Sequence, residues 1–177
     1  MSNHHLNIEI KAHLKNVEKI RQVLKAHNAI FKGIDHQVDT YFECHSGRLK
    51  LRQGNIENNL IHYERQNTKQ AKASFVSLFS VEGNSKKLKS VLSNALKVKV
   101  VVDKKREIYF VENVKFHIDK VEKLGHFVEI EAIDLDGTIG KAKLEEQCQY
   151  FIAQFDIQEK DLICLLYTSP SPRDMWT

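Results

Sequence analysis

Proline is almost missing from this sequence. There are two, Pro170 and Pro172, and both lie in a stretch from about Cys164 that has no apolar periodicity. Residues 164–177 are therefore expected to be an unstructured or foreign C-terminal tail, and residues 1–163 a single domain. Cysteine is scarce too. Cys44, Cys148 and Cys164 are odd in number and far apart, so they fit neither a disulfide framework nor a zinc pattern and read as reduced thiols of a cytoplasmic protein. No run of about 18 apolar residues occurs, so no membrane span is expected. Met1 to His5 show no basic segment followed by an apolar one, so no secretory signal is expected. No glycine-rich loop leads into Lys-Ser or Lys-Thr, which leaves a P-loop unsupported, and the nine histidines show no HExxH or other zinc spacing. A large charge of one sign is also lacking: 27 Lys+Arg against 23 Asp+Glu give +4. An excess that small does not point to nucleic acid, and the placement of the charges carries more information.

That placement is unusual. Extended, Asn7-Ile8-Glu9-Ile10-Lys11 puts Ile8 and Ile10 on one face and Asn7, Glu9 and Lys11 on the other. The charged alternation recurs in Arg48-Leu49-Lys50-Leu51-Arg52, in Lys104 and Arg106, in His117 and Asp119, and in Glu129 and Glu131. Strands that each carry a polar stripe, of both signs in sum, are expected to curl around that face. Such a face suits a highly charged ligand together with its metal ions.

The rest of the chain supplies the elements. Asn16 can cap a helix with Val17, Ile20, Val23 and Leu24 at helical spacing, running to about Asn28, with a turn at Lys32-Gly33. Ser85 is read as the cap of a second helix, and Gly137 and Gly140 precede a third that carries Leu144, Cys148 and Phe151 in register. Between them lie about eight strands with mostly short connections, and a polar loop over residues 67–73. Short connections favour antiparallel pairing, and eight strands suffice to close around a ligand. The expected fold class is α+β: a closed eight-stranded antiparallel β-barrel with flanking helices.

Two groups of residues carry the chemistry. Glu129 and Glu131 are two apart on a strand and leave the same face; Glu9 and Asp119 can join them across the sheet. Carboxylates without a histidine or cysteine partner suit hard cations such as Mg²⁺ or Mn²⁺. Two solvated surface glutamates are the competing reading. His117 is expected to face the same polar interior without being a ligand. The basic group comprises Lys11, Arg48, Lys50, Arg52, Arg65, Lys104 and Arg106. Guanidinium forks and lysine charges suit phosphate oxygens. A salt-bridged outer surface or a nucleic-acid face would use the same residues. Carboxylates on the same face would repel a phosphate backbone, which favours a small, metal-chelated polyphosphate.

From about Leu6 to Asp161 these features resemble the CYTH superfamily of class IV adenylate cyclases, thiamine triphosphatases and inorganic triphosphatases. The opening strand, the Arg48–Arg52 strand, the run Val101–Phe110 and the run from Val114 through Gly125 to Glu131 carry the likeness, the last two most like the class IV cyclase branch. The resemblance implies an antiparallel tunnel holding a nucleotide or other organic triphosphate with Mg²⁺ or Mn²⁺. It implies that Glu9, Asp119, Glu129 and Glu131 bind metal. It further implies that Lys11, Arg48, Lys50, Arg52, Arg65, Lys104 and Arg106 grip the phosphates. Glu9, Lys11, Glu129 and Glu131 would form the catalytic set. Water attacking the terminal phosphorus would make a triphosphatase, and a ribose 3′-hydroxyl attacking the α-phosphorus a cyclase. The implied partner is a small-molecule triphosphate, with no nucleic acid or membrane, for a monomer or homodimer. The family's opening Glu-x-Glu-x-Lys reads Asn7-x-Glu9-x-Lys11 here. Asn7 offers an oxygen without a charge, which predicts weaker metal affinity or slower catalysis. A non-catalytic polyphosphate- or nucleotide-binding module is therefore the alternative, ahead of a basic RNA-binding barrel.

Overall fold

A strand that is polar on alternate positions must bury its other face somewhere, and here that requirement sets the architecture. The computed structural model describes residues 4–65 and 72–163. Its strands are β1 (His4–His13), β2 (Ile30–Phe42), β3 (Arg48–Gln53), β4 (Asn58–Arg65), β5 (Lys72–Ser80), β6 (Val98–Val111), β7 (Val114–Val121) and β8 (Gly125–Asp134). All pairings are antiparallel, in the order β1-β5-β4-β3-β2-β6-β7-β8, and β8 pairs back onto β1 so that the sheet forms a ring. The helices are α1 (Val17–Ala26), α2 (Ser85–Ala95) and α3 (Lys141–Gln154), of which α1 and α3 pack on the outer face of the ring. The described helices include none long and apolar enough to cross a membrane.

The main core is outside the ring, between the sheet and two helices. Ile8, Ile10 and Ala12 of β1, Val114, Phe116 and Ile118 of β7, and Val128, Ile130 and Ala132 of β8 pack against Ile20 and Leu24 of α1 and Leu144, Cys148, Phe151 and Phe155 of α3. At about 25 cal/mol per Å² of apolar surface, this layer supplies most of the burial that holds the sheet closed. The opposite phase of the same strands is turned inward. A second cluster, Tyr41, Val102, Val121, Phe127 and Ile163, sits where β7 ends and β8 begins. Ile163 is tied there by its N–H, which donates to the Lys11 carbonyl at 3.0 Å.

Three local readings change. Lys32-Gly33 is no turn; it lies within β2 at a bulge between Phe31 and Gly33, and the chain leaves α1 through Asn28, whose φ of 55° suits asparagine. Asn84 rather than Ser85 caps α2, its Oδ1 accepting from Lys87 N at 3.1 Å. Residues 66–71, most of the expected polar loop, and the expected tail 164–177 fall outside the described residues. Cys44 and Cys148 are free thiols.

Candidate functional site

The inward phase encloses a cavity of about 390 Å³, within the range of small-ligand sites. Its acidic corner follows from register. Glu9 and Lys11 of β1 lie opposite Glu131 and Glu129 of β8, which in turn lie opposite Lys115 and His117 of β7. Glu129 therefore stands between Lys11 and His117, and Glu131 between Glu9 and Lys115. Lys11 Nζ is 3.3 Å from Glu129 Oε1, His117 Nδ1 is 2.9 Å from Glu129 Oε2, and the Asn7 amide donates to Glu131 Oε1.

Burial opposes ionisation of Glu129, but Lys11, Arg106 and His117 outweigh it and hold the carboxyl well below the usual range. For Glu131 burial prevails over the opposing Lys115 charge, and its carboxyl is raised. Burial, with Arg106 nearby, depresses His117 to about 3, so the ring is neutral at neutral pH. Facing ionised Glu129, Nδ1 then carries the proton and Nε2 keeps its lone pair. Nε2 is buried without a partner, as is Asn7 Oδ1.

The basic wall is organised by Asp39, which is fully buried. Arg52 forks it through Nε and NH2, both at 2.9 Å; Lys104 Nζ reaches the same carboxylate at 2.9 Å and Lys50 Nζ at 3.7 Å. Arg52, Lys104 and Lys50 overcome the effect of burial and hold Asp39 well below its ordinary range. Lys104, buried and beside Arg106, is pulled down to about 8. Glu57 joins the two halves, with Arg52 NH1 at 3.5 Å and Lys115 Nζ at 2.5 Å. Lys50 also stands over the rings of Tyr41 and Tyr63, 5.6 and 5.4 Å from their centroids.

Of the residues singled out from sequence, Glu9, Lys11, Lys50, Arg52, Lys104, Arg106, Glu129 and Glu131 line the cavity. Asp119, expected among the metal ligands, does not. Both its oxygens are taken by Arg106, at 2.7 Å each. Arg48 starts β3 half-buried and off the cavity wall, with NH1 buried and unpartnered. The Arg65 side chain lies outside the described residues. Asp39, Glu57 and Lys115 were missed, while His117 faces the interior as expected but stands among the candidate ligands. Lys115 and His117 share the inward phase of Asp119, which was the available signal; Glu57 sits in a turn and gave none.

A divalent cation fits the acidic corner. Glu129, Glu131 and His117 bring one ligand atom each to within 4.8 Å of one another, and the orphaned Asn7 oxygen adjoins Glu131. His117 thus replaces Asp119 in the candidate ligand set.

Comparison with known proteins agrees with this architecture. No curated protein matches the sequence. Among solved structures, the PH1012 protein of Pyrococcus horikoshii OT3 is 28% identical and superposes with a TM-score of 0.74 over 89% of this chain and 94% of its own. A protein of Vibrio parahaemolyticus described as a candidate adenylate cyclase is 17% identical, with a TM-score of 0.73 over 97% and 98%. A Hippeastrum protein, described as a candidate adenylyl cyclase with a dominant triphosphatase activity, is 13% identical, with a TM-score of 0.56 over 86% and 88%. The last two likenesses concern the fold. The CYTH domain profile matches residues 5–161. With nearly all of the eight-stranded ring and its charged interior inside that match, the chain belongs to the CYTH domain family.

Proposed function

We propose that the cavity binds a metal-chelated organic triphosphate and processes it, by hydrolysis or by cyclisation. The observation that carries this reading is the meeting of two opposite walls in one cavity. Glu9, Glu129 and Glu131 stand on one side and the Lys50, Arg52 and Lys104 cluster on the other. The cations are already partnered by Asp39, Glu57 and Asp119, so they are held in place before a ligand arrives. Because that pairing also offsets their charge, a triphosphate needs further neutralisation, and the acidic corner is where it can be had.

In this reading Glu129, Glu131, His117 and Asn7 hold the cation, with Glu9 beside them. A divalent cation bound there, Mg²⁺ or Mn²⁺ on the expectation from sequence, supplies charge neutralisation and polarises a phosphoryl oxygen. Lys11, fixed by Glu129, and Lys50, Lys104, Arg52 and Arg106 orient the phosphate chain. Lys115, fixed by Glu57, closes the gap between the walls. Val76, Leu78, Phe110 and Ile133, also lining the cavity, offer an apolar berth for the organic group. The activities described for the Vibrio and Hippeastrum proteins are in keeping with either outcome.

The deciding experiment incubates purified protein and Mg²⁺ or Mn²⁺ separately with ATP, thiamine triphosphate and tripolyphosphate. Orthophosphate release identifies a triphosphatase and its substrate; cyclic AMP with pyrophosphate identifies a cyclase. One observation favours a second reading, a binding module without turnover: the Asn7 amide satisfies Glu131 without a cation. Stabilisation by tripolyphosphate with no product in any reaction would support that reading and sink the first.

A further inference from the structure

The cavity opens to solvent through an apolar mouth. Leu78 and Leu135 both line it and are 44% and 74% exposed, so the opening lies where β5 and β8 end. Toward the other end the lining residues Tyr41, Tyr63, Val102 and Val121 are at most 8% exposed, and Phe127 and Ile163 pack with three of them. We propose that the organic group of the bound triphosphate is an apolar chain. The ligand is an aliphatic ester whose phosphates sit between the charged walls and whose hydrocarbon body lies at this mouth. This rests on reading the charged interior as the triphosphate site of the proposed function.

Three observations carry it. The first is a change of polarity along the cavity. Inward positions run from Arg106 to Phe110 on β6 and from Glu129 through Glu131 to Ile133 on β8, so both strands pass from charged to apolar toward the same end. Val76 and Leu78 of β5 meet them there. A ligand held by Lys11, Lys50 and Lys104 therefore trails its organic group past apolar side chains.

The second is that apolar surface continues around the rim. Ile30 lies opposite Phe110 in the β2–β6 register, Phe79 follows Leu78, and Ile56 stands on the β3–β4 turn; all three are exposed. Large apolar side chains grouped in water mark a binding surface, and this one is continuous with the cavity lining.

The third is how the polar groups at the mouth are used. A nucleobase calls for hydrogen-bonding partners along its edge. The Asn113 amide donates to the Ile133 carbonyl at 3.1 Å and to Gln147 Oε1 at 2.9 Å, and its oxygen accepts from Gln147 Nε2 at 2.8 Å. Lys115 and Glu57 are paired with each other. The other polar side chains there are His5, Asn59 and Glu112, which makes a nucleotide the deciding comparison.

The test measures affinity by calorimetry, with Mg²⁺ present, for methyl triphosphate, n-octyl triphosphate and ATP. The octyl ester is expected to bind wild-type protein at least about tenfold tighter than the methyl ester, and ATP to show no such gain. In Leu78→Gln/Leu135→Gln, where both replaced side chains are exposed, the octyl-to-methyl ratio should fall to about threefold or less. Tripolyphosphate should displace the octyl ester, as it must if the head group lies between the charged walls. Equal binding of octyl and methyl esters, a gain for ATP as large as for the octyl ester, an unchanged ratio in the variant, or octyl binding that tripolyphosphate does not displace would each overturn the proposal. Light scattering on the same samples tests the other occupant: a wild-type dimer that the double variant dissociates assigns the rim to a second copy and also overturns it. Binding of methyl triphosphate and tripolyphosphate with no octyl gain removes this inference and keeps the proposed function. No binding of any triphosphate removes that function and this inference with it.

Discussion

Arg106 grips Asp119 through two parallel hydrogen bonds, Nε to Oδ1 and NH2 to Oδ2, each 2.7 Å long. Neither side chain is more than 2% exposed. Burial raises the cost of charge on Asp119, yet the guanidinium prevails and holds its carboxyl at about 2. The pair is a fixed piece of the wall, and Asp119 serves the cavity by aiming Arg106.

Removing one member should therefore be costly. Asp119→Asn is expected to lower unfolding free energy by about 3 kcal/mol or more, because a buried guanidinium loses its counter-charge. Asp39→Asn should cost at least as much, since Arg52, Lys104 and Lys50 all converge on that carboxylate. Urea denaturation of each variant checks this; a change below about 1 kcal/mol in both would contradict the pairing argument.

Asn7→Glu sets two carboxylates against each other at Glu131 where an amide now donates. In chelator the variant is expected to melt below wild type. With Mn²⁺ the difference should shrink or reverse, and metal affinity or turnover should rise. Thermal melts with and without metal decide it: equal melting temperatures in chelator would show that the contact carries no charge balance.

Glu129→Gln and Glu131→Gln keep side-chain shape and remove the charge. Each is expected to cut metal-dependent turnover by about 100-fold or more with the fold intact by circular dichroism. Full activity in both would displace the site.

The pH profile should carry the mark of Lys104. Its ammonium is pulled from 10.5 to about 8 by burial and by Arg106. Below pH 8 it is charged and attracts phosphate; as pH rises through 8 that attraction is lost. Tripolyphosphate affinity measured by calorimetry should fall by about tenfold between pH 7 and 9, and the fall should be smaller in Lys104→Gln. Stability has the opposite sign. Between pH 8 and 10.5 the unfolded chain binds more protons at this residue than the folded one, so its contribution rises with pH across that window.

Alternation made much of this legible in sequence. Ile8 and Ile10 against Asn7, Glu9 and Lys11 already separate core from cavity, and the same rule places Lys50, Arg52, Lys104, Arg106, Glu129 and Glu131 correctly. What alternation cannot give is which inward charges face one another across the ring. Asp119 shares the phase of His117, but its reach to Arg106 depends on the β6–β7 register, where the two are directly paired. Asp39 lies on β2 among Val38, Thr40, Tyr41 and Phe42, and its role depends on cations from β3 and β6 converging on it. Glu57 acts from the β3–β4 turn, beyond any strand pattern.

The helix-packed core and the charged lining occupy alternate residues of the same strands, most plainly in β1, β7 and β8. The two jobs therefore share a reading frame. Replacing a lining residue leaves the helix-packed core intact, so lining positions outside the buried ion pairs are open to redesign one alternate position at a time. Deleting a single residue within β1 or β8 would exchange the faces beyond that point. Lysines and glutamates would then meet α1 and α3 while isoleucines filled the cavity. Libraries built on this chain should vary inward positions outside the Asp39 and Asp119 pairings and never alter strand length.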